Sequence, residues 1–314
     1  MVIEAVENWC YVSGRCASLE ASLLGEDFFR EMLREGTVEG AFARLSRSPY
    51  GEIFPHHSSL HDYDVLVTDH LRAALRSIRE DSPADGPADI FLKELELRDI
   101  HGVLIRQRIA RENPRDMESW ASRLGGGFPW VHGFEVAPDA RVLFSRNPVR
   151  ALSLWVDGAY LREVMRLGST GSGPEAYCRA LVSIRSAEVC WRAARSGLEP
   201  QWLATFFFGG SLQPPLFADV AKAVRDASLR RLLCVFGLSD FGAREEDLGE
   251  LYARYFDDYL TRVATRGEHD VYGAGRVLHY VRQVWVEHFN LRLCIAAVLT
   301  PLPTRQAQER LRHD

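Results

Sequence analysis

The stretch Ala88-Asp-Ile-Phe-Leu-Lys-Glu-Leu-Glu-Leu-Arg-Asp-Ile-His-Gly-Val-Leu-Ile-Arg-Gln-Arg-Ile-Ala-Arg111 decides the fold class. Ile90, Phe91, Leu95, Leu97, Ile100, Val103, Leu104 and Ile109 recur at steps dominated by three and four, the spacing that gathers side chains on a helix face. The breaker-rich run Asp81-Ser-Pro-Ala-Asp-Gly-Pro precedes it and Asn113-Pro114 ends it. Working outward, the same period predicts helices over 4–24, 26–34, 38–45 and 60–79 on one side. Tyr11, Arg15, Leu19 and Leu23 follow one another at intervals of four, and Gly25 and Gly36 act as stops. On the other side it predicts helices over 117–124, 148–167, 174–196, 215–225, 228–236, 245–266, 270–299 and 304–312. Gly125-Gly-Gly-Phe-Pro-Trp reads as a linker. Residues 131–147 are the least helical stretch and have room for extended segments, although Pro138 and Pro148 disfavour a central strand. Strict two-residue alternation is almost absent, so the expected class is all-α.

The chain repeats itself. Thr37-Val-Glu-Gly-Ala-Phe-Ala-Arg-Leu-Ser-Arg-Ser-Pro-Tyr-Gly51 and Ser228-Leu-Arg-Arg-Leu-Leu-Cys-Val-Phe-Gly-Leu-Ser-Asp-Phe-Gly242 have equal length. Each opens on a hydroxyl residue suited to cap a helix, carries apolar residues at its second, fifth, sixth and ninth places, and closes on Ser-x-aromatic-Gly. A long helix follows each, and a third copy of that helix lies between them. Residues 96–108, 182–194 and 284–296 align without gaps, bringing Val103, Val189 and Leu291 into one column and Ile105, Trp191 and Leu293 into another. Three related helical units, 1–115, 116–199 and 200–314, are the economical division.

Composition narrows the functions available. With 314 residues, 46% hydrophobic and 26% charged, the chain can bury a large core. A net charge of −5 gives no overall basic field for nucleic acid, and of the 38 basic residues only Lys93 and Lys222 are lysines. No apolar run reaches the roughly 18–20 residues that cross a bilayer, and the acidic start lacks the features of a secretion signal, so a cytoplasmic place is expected. The six cysteines form no Cys-x-x-Cys pair and read as buried reduced thiols. Neither lysine follows glycine, which excludes a Walker phosphate loop. No dinucleotide glycine fingerprint, nucleophile elbow or His-Glu-x-x-His is present, so neither nucleotide nor cofactor is expected. His57 and His61 would share a helix face as metal ligands, but Ser58, Ser59 and Asp62 beside them are more simply helix-starting residues. Phe206 to Phe208, just before Gly209-Gly210, serve either as core filling or as a docking patch.

Several pieces gain weight from their order: Tyr11-x-x-x-Arg15-x-x-x-Leu19-x-x-x-Leu23-Leu24, Ser48-Pro-Tyr-Gly51, the long helix with Asp99 and Arg106, Phe208-Gly-Gly-Ser-Leu212, and Glu287-x-x-Asn290-Leu-Arg292. Together they resemble, over nearly the whole length, the C-type stalk family of the archaeal and bacterial V/A-type ATPases, similar to the eukaryotic V-ATPase AC39 family. The resemblance implies a noncatalytic rotor part: three similar bundles arranged as a funnel or wedge, peripheral on the cytoplasmic face of the membrane. There it would couple the axle, built from the D and F proteins of the motor, to the membrane proteolipid ring, and it would be a monomer when isolated. The same resemblance makes Arg15, Asp99, Arg106, Arg192, Glu287, Asn290 and Arg292 candidates for the partner socket or for ion pairs between helices. It makes Phe208, Gly209, Gly210, Ser211 and Leu212 a candidate docking loop. The family's acidic-x-x-Asn-x-x-x-Arg pattern is incomplete: the copies read Asp99/Gly102/Arg106, Arg185/Glu188/Arg192 and Glu287/Asn290/Cys294. That departure motivates an alternative, a free cytosolic helical adaptor derived from the family. An enzyme built on His57, His61 and nearby acids is a third possibility.

Overall fold

A computed structural model describes residues 2–54, 62–109, 124, 126–131, 144–169, 174–207, 214–238, 248–270, 272–300 and 302–312. Among these the chain is helical and holds no strand. The helices are α1 (Val2–Glu20), α2 (Glu26–Glu35), α3 (Val38–Leu45), α4 (Tyr63–Asp81), α5 (Pro87–Ile109), α6 (Pro148–Ser169) and α7 (Glu175–Arg195). After them come α8 (Pro200–Phe207), α9 (Pro214–Arg225), α10 (Leu229–Val235), α11 (Leu248–Thr265), α12 (Ala274–Leu299) and α13 (Thr304–Gln308), with single 3₁₀ turns at Pro49–Glu52 and Pro129–Val131.

Local chemistry sets many of these limits. Thr37 Oγ1 accepts from the Gly40 N–H at 3.1 Å and Ser228 Oγ from the Arg231 N–H at 3.3 Å, so both copies of the repeat begin with the same cap. Gly36 ends α2 in the left-handed conformation, φ 62°, which glycine adopts without steric penalty. The closing glycine of the first copy has a different cause: a Cβ on Gly51 would lie 2.5 Å from the Ser46 carbonyl oxygen.

The described residues form two compact units. One takes Met1–Leu92 and Glu246–Asp314 with Gly171–Pro174, and the other Lys93–Thr170 and Glu175–Glu245. The first unit is organised by α12, an almost wholly buried helix on which α1, α2, α3 and α4 from the start of the chain and α11 and α13 from its end all pack. The core of that first unit runs through Phe29, Met32 and Leu33 of α2, Leu45 of α3, Val67 of α4 and Leu291, Cys294 and Ile295 of α12. The buried face of α1 is Trp9, Val12, Ser13 and Cys16, so Tyr11, in the four-spaced series, is left 64% exposed. The second unit stacks α6 against α7, seats the α9–α10 hairpin on α7, and closes with α8 against α6, α7 and α9.

Three expectations change. The period misses α8, whose sequence Pro-Gln-Trp-Leu-Ala-Thr-Phe-Phe spans only about two turns, too short for its Gln201/Thr205 face to repeat. The predicted helix 304–312 is shortened to α13 because the backbone of Arg312 is taken by a side chain instead of a helical partner. The glycine-rich linker runs into the 3₁₀ turn Pro129–Val131. Residues 117–123 and 132–143, where a helix and extended segments were expected, lie outside the described residues, as do His57, His61 and the loop Phe208, Gly209, Gly210, Ser211, Leu212.

Candidate functional site

The nominated residues do not converge on one surface. Arg15 of α1 forms an ion pair with Asp81 and donates to Ser77 Oγ at 2.6 Å and to the Ser77 carbonyl at 3.1 Å, fixing α1 to the end of α4. Glu287, 4% exposed, accepts the Leu24 N–H at 3.2 Å and the Tyr50 hydroxyl. Burial, then the Glu287 charge, holds the Tyr50 phenol well above its ordinary range, so it stays a donor. Asn290, 2% exposed, donates to the Arg312 carbonyl at 3.0 Å and accepts the Arg312 N–H at 2.8 Å. Arg292 pairs with Asp64 of α4. Asp99 and Arg106 lie on the exposed side of α5, while Arg192 reaches Asp157 of α6 at 3.3 Å. Glu287 and Asn290 are therefore interior groups that tie α12 to the non-helical segments at Leu24 and Arg312 and to the 3₁₀ turn at Tyr50.

A second interior network joins α11, α12 and the segment after α13. Arg282, 2% exposed, donates to Thr261 Oγ1 at 3.1 Å, to the Asp257 carbonyl at 2.8 Å and to Asp257 Oδ1 at 2.9 Å. Arg312 donates to the other Asp257 oxygen at 2.8 Å and lies over the Phe289 ring, 4.1 Å from its centroid. Burial works against the Asp257 carboxylate, but the two guanidinium groups outweigh it and hold its pKa below the ordinary value.

The most chemically concentrated place is a cleft in the second unit. Three helices each turn one face toward it: Glu94, Leu97, Arg98 and His101 of α5; Asp157, Tyr160 and Leu161 of α6; Arg185, Glu188, Val189 and Arg192 of α7. Steps of three and four bring those residues into line, so helix geometry alone assembles the set. Its volume is about 190 Å³. Glu94 is 6% exposed, Asp157 7% and Tyr160 1%. The Tyr160 hydroxyl donates to Glu94 Oε2 at 2.5 Å, and Arg185 is paired with Glu94 and, at 2.7 Å, with Glu188. His101 Nε2 lies 2.9 Å from Asp157 Oδ1, whose second oxygen holds Arg192. Glu96 accepts from Lys93 at 2.9 Å and from the Trp130 indole at 2.6 Å, and Trp130 meets Tyr160 edge to face.

Burial and then the Glu94 charge push the Tyr160 phenol well above its usual range. Burial opposes the charge on Arg185, yet Glu94 and Glu188 overcome it and keep the guanidinium ionised. The cleft thus presents fixed charges of both signs together with a phenol locked as a donor. The pattern Arg185-x-x-Glu188-x-x-x-Arg192 was visible in the sequence; its partners Glu94 and Tyr160 carried only the signal of helical spacing. Among the described residues no group of three His, Cys, Asp or Glu side chains is placed to hold a metal ion, and no helix is long and apolar enough to cross a membrane. No protein-family model matches the chain, and no curated protein is significantly similar to it.

Proposed function

We propose that this chain is a noncatalytic central-stalk component of a V/A-type rotary ATPase, coupling a D/F-type axle to a membrane proteolipid ring. The observation that carries the reading is one device used twice. A short two-helix hairpin containing a hydroxyl-capped helix sits on a long buried helix, as α2–α3 on α12 and as α9–α10 on α7. The two long helices are aligned copies in the sequence, and α5 supplies the third. Related units suit a part that spreads load over a symmetric ring, and the finer expectation is a funnel of three such units. Passing torque requires stiffness, which close-packed interiors provide. Cross-links such as Arg15–Asp81, Arg282–Asp257–Arg312 and Asn290–Arg312 add to it by tying separate segments together.

A specific observation favours a second reading, a free helical adaptor of the same descent. Gly102 and Cys294 replace the Asn and Arg of the family pattern, and Cys294 is fully buried with its thiol directed at the Phe29 carbonyl, 3.7 Å away. Purification of the tagged chain from its native membranes separates the two. The stalk role predicts that a D-type coiled-coil axle protein and the proteolipid ring accompany it in stoichiometric amount. Recovery of the chain free of both, with the rest of the motor intact in those membranes, would refute that role.

A further inference from the structure

We propose that the cleft between α5, α6 and α7 binds a small zwitterion of the α-amino acid class with an aliphatic side chain. This site is separate from the stalk role and does not depend on it. The argument begins with cost. Inward positions of a helical unit are most cheaply filled by apolar residues, and a buried ion pair is often no more stable than a hydrophobic replacement. Here three helix faces place Glu94, Asp157, Arg185 and Glu188 where packing alone would place apolar side chains. An ionisable cluster lining a cleft is therefore a candidate for binding.

The arrangement of charge indicates what would bind. The carboxylates of Glu94 and Asp157 lie deepest, with side chains 8% and 9% exposed, whereas Arg185 and Arg192 are 32% and 52% exposed and fold over them. Arg98, Arg185 and Arg192 equal Glu94, Asp157 and Glu188 in number, so the guanidinium and carboxylate groups of the lining offset one another while keeping both signs within reach. A purely anionic guest would meet three carboxylates, and a purely cationic one three guanidinium groups. A guest carrying one charge of each sign satisfies both. Leu97, Leu161 and Val189 make one wall apolar, which suits an aliphatic side chain. The volume of about 190 Å³ lies below the ~300 Å³ at which pockets begin to take drug-sized ligands, restricting the guest to the size of a single amino acid.

The groups able to engage such a guest are those held most loosely. Arg192 is half exposed and touches Asp157 through a single 3.3 Å contact, so its guanidinium can turn to a guest carboxylate. Glu188 gives one oxygen to Arg185 and keeps lone pairs for a guest ammonium. Glu94 is engaged by Tyr160 at one oxygen and by Arg185 at the other, and with Tyr160 it forms the fixed base of the cleft.

Isothermal titration of the protein with L-leucine, 4-methylpentanoate and isopentylamine tests this. Leucine should bind, and each single-charge analogue should bind roughly ten-fold or more weakly, the effect of losing one charge-assisted contact. Arg192→Gln and Glu188→Gln, checked for unchanged helix content by circular dichroism, should each weaken leucine by about the same factor. Arg305→Gln, whose side chain is 90% exposed and does not line the cleft, should bind as the unmodified protein does. The proposal is overturned if leucine gives no heat with the unmodified protein, or if 4-methylpentanoate or isopentylamine binds as tightly as leucine. Unchanged binding in both folded cleft variants overturns it as well; should one variant fail to fold, the other decides.

Discussion

Replacing Asn290 with alanine tests how the segment after α13 is held. Both ends of the Asn290 amide are committed to the backbone of one residue, the N–H and the carbonyl of Arg312, and both residues are buried at 2% and 6% exposure. If the segment stays in place, two interior backbone groups lose their partner at about 1–3 kcal/mol each. The segment can instead lift into water. That route exposes Leu311, now 1% exposed, at about 1.5–3 kcal/mol, releases the Arg312–Phe289 stacking at about 0.5–2 kcal/mol, and also breaks the Arg312–Asp257 pair. The cheaper route sets the loss, so Asn290→Ala should cost at least about 2 kcal/mol and at most about 6 kcal/mol. Urea denaturation of both proteins measures the loss, and hydrogen exchange at the Arg312 amide identifies the route, since lifting removes its protection. Asn290→Asp, which keeps the acceptor and loses the donor, should fall between them in exchange rate. A loss under about 1 kcal/mol with the Arg312 amide still slow would refute the assignment of this side chain as the clamp.

Further outcomes follow from the same interior chemistry. Arg282→Met leaves Asp257, 25% exposed, still paired with Arg312 but removes the donor to Thr261 Oγ1 and to the Asp257 carbonyl, and should destabilise the protein by about 1–3 kcal/mol, read from the urea midpoint. Because the folded pKa of Asp257 lies below the unfolded value near 3.9, its contribution is complete above about pH 4 and is lost as pH falls through the folded pKa. A series of denaturation curves should therefore show a shallower acid limb for Asp257→Asn. Burial pushes the thiols of Cys16, Cys178, Cys190 and Cys294 up to about 12, whereas Cys10 and Cys234 are exposed. A thiol reagent at about pH 8 should titrate those two rapidly in the native protein and the other four only after unfolding. A Cβ on Gly168 would lie 2.7 Å from Cys178 Cβ, so Gly168→Ala should cost about 1–3 kcal/mol through overpacking, visible as a lowered melting temperature.

The helical class was legible because period three to four dominates the chain, and α3 falls on the residues its spacing assigns. The capping roles of Thr37 and Ser228 were legible too, since a hydroxyl before an apolar run has a short list of uses. What could not be read depends on which helices meet. The early helices and α12 share one core although the whole second unit separates them in sequence, and no local pattern encodes that meeting. Glu94 and Arg185 are likewise far apart in the chain; Arg185 stood in the repeat pattern, but Glu94 looked like an ordinary polar position until α5 and α7 aligned them. The end of α13 shows the same principle at short range. Leu311 and Arg312 continue a plausible helical pattern, but the Asn290 amide on another helix takes the backbone that such a helix would have used.

The division of the chain also has a consequence for its synthesis. The first unit needs α12, which leaves the ribosome after the entire second unit has emerged, so α1–α4 must wait for the helix that covers Phe29, Met32, Leu45 and Val67. Meanwhile the second unit can mature as a self-contained insert within an unfinished host. Nascent chains arrested before residue 274 should therefore bind chaperones through their amino-terminal third and become protease-resistant there only once translation has passed the end of α12.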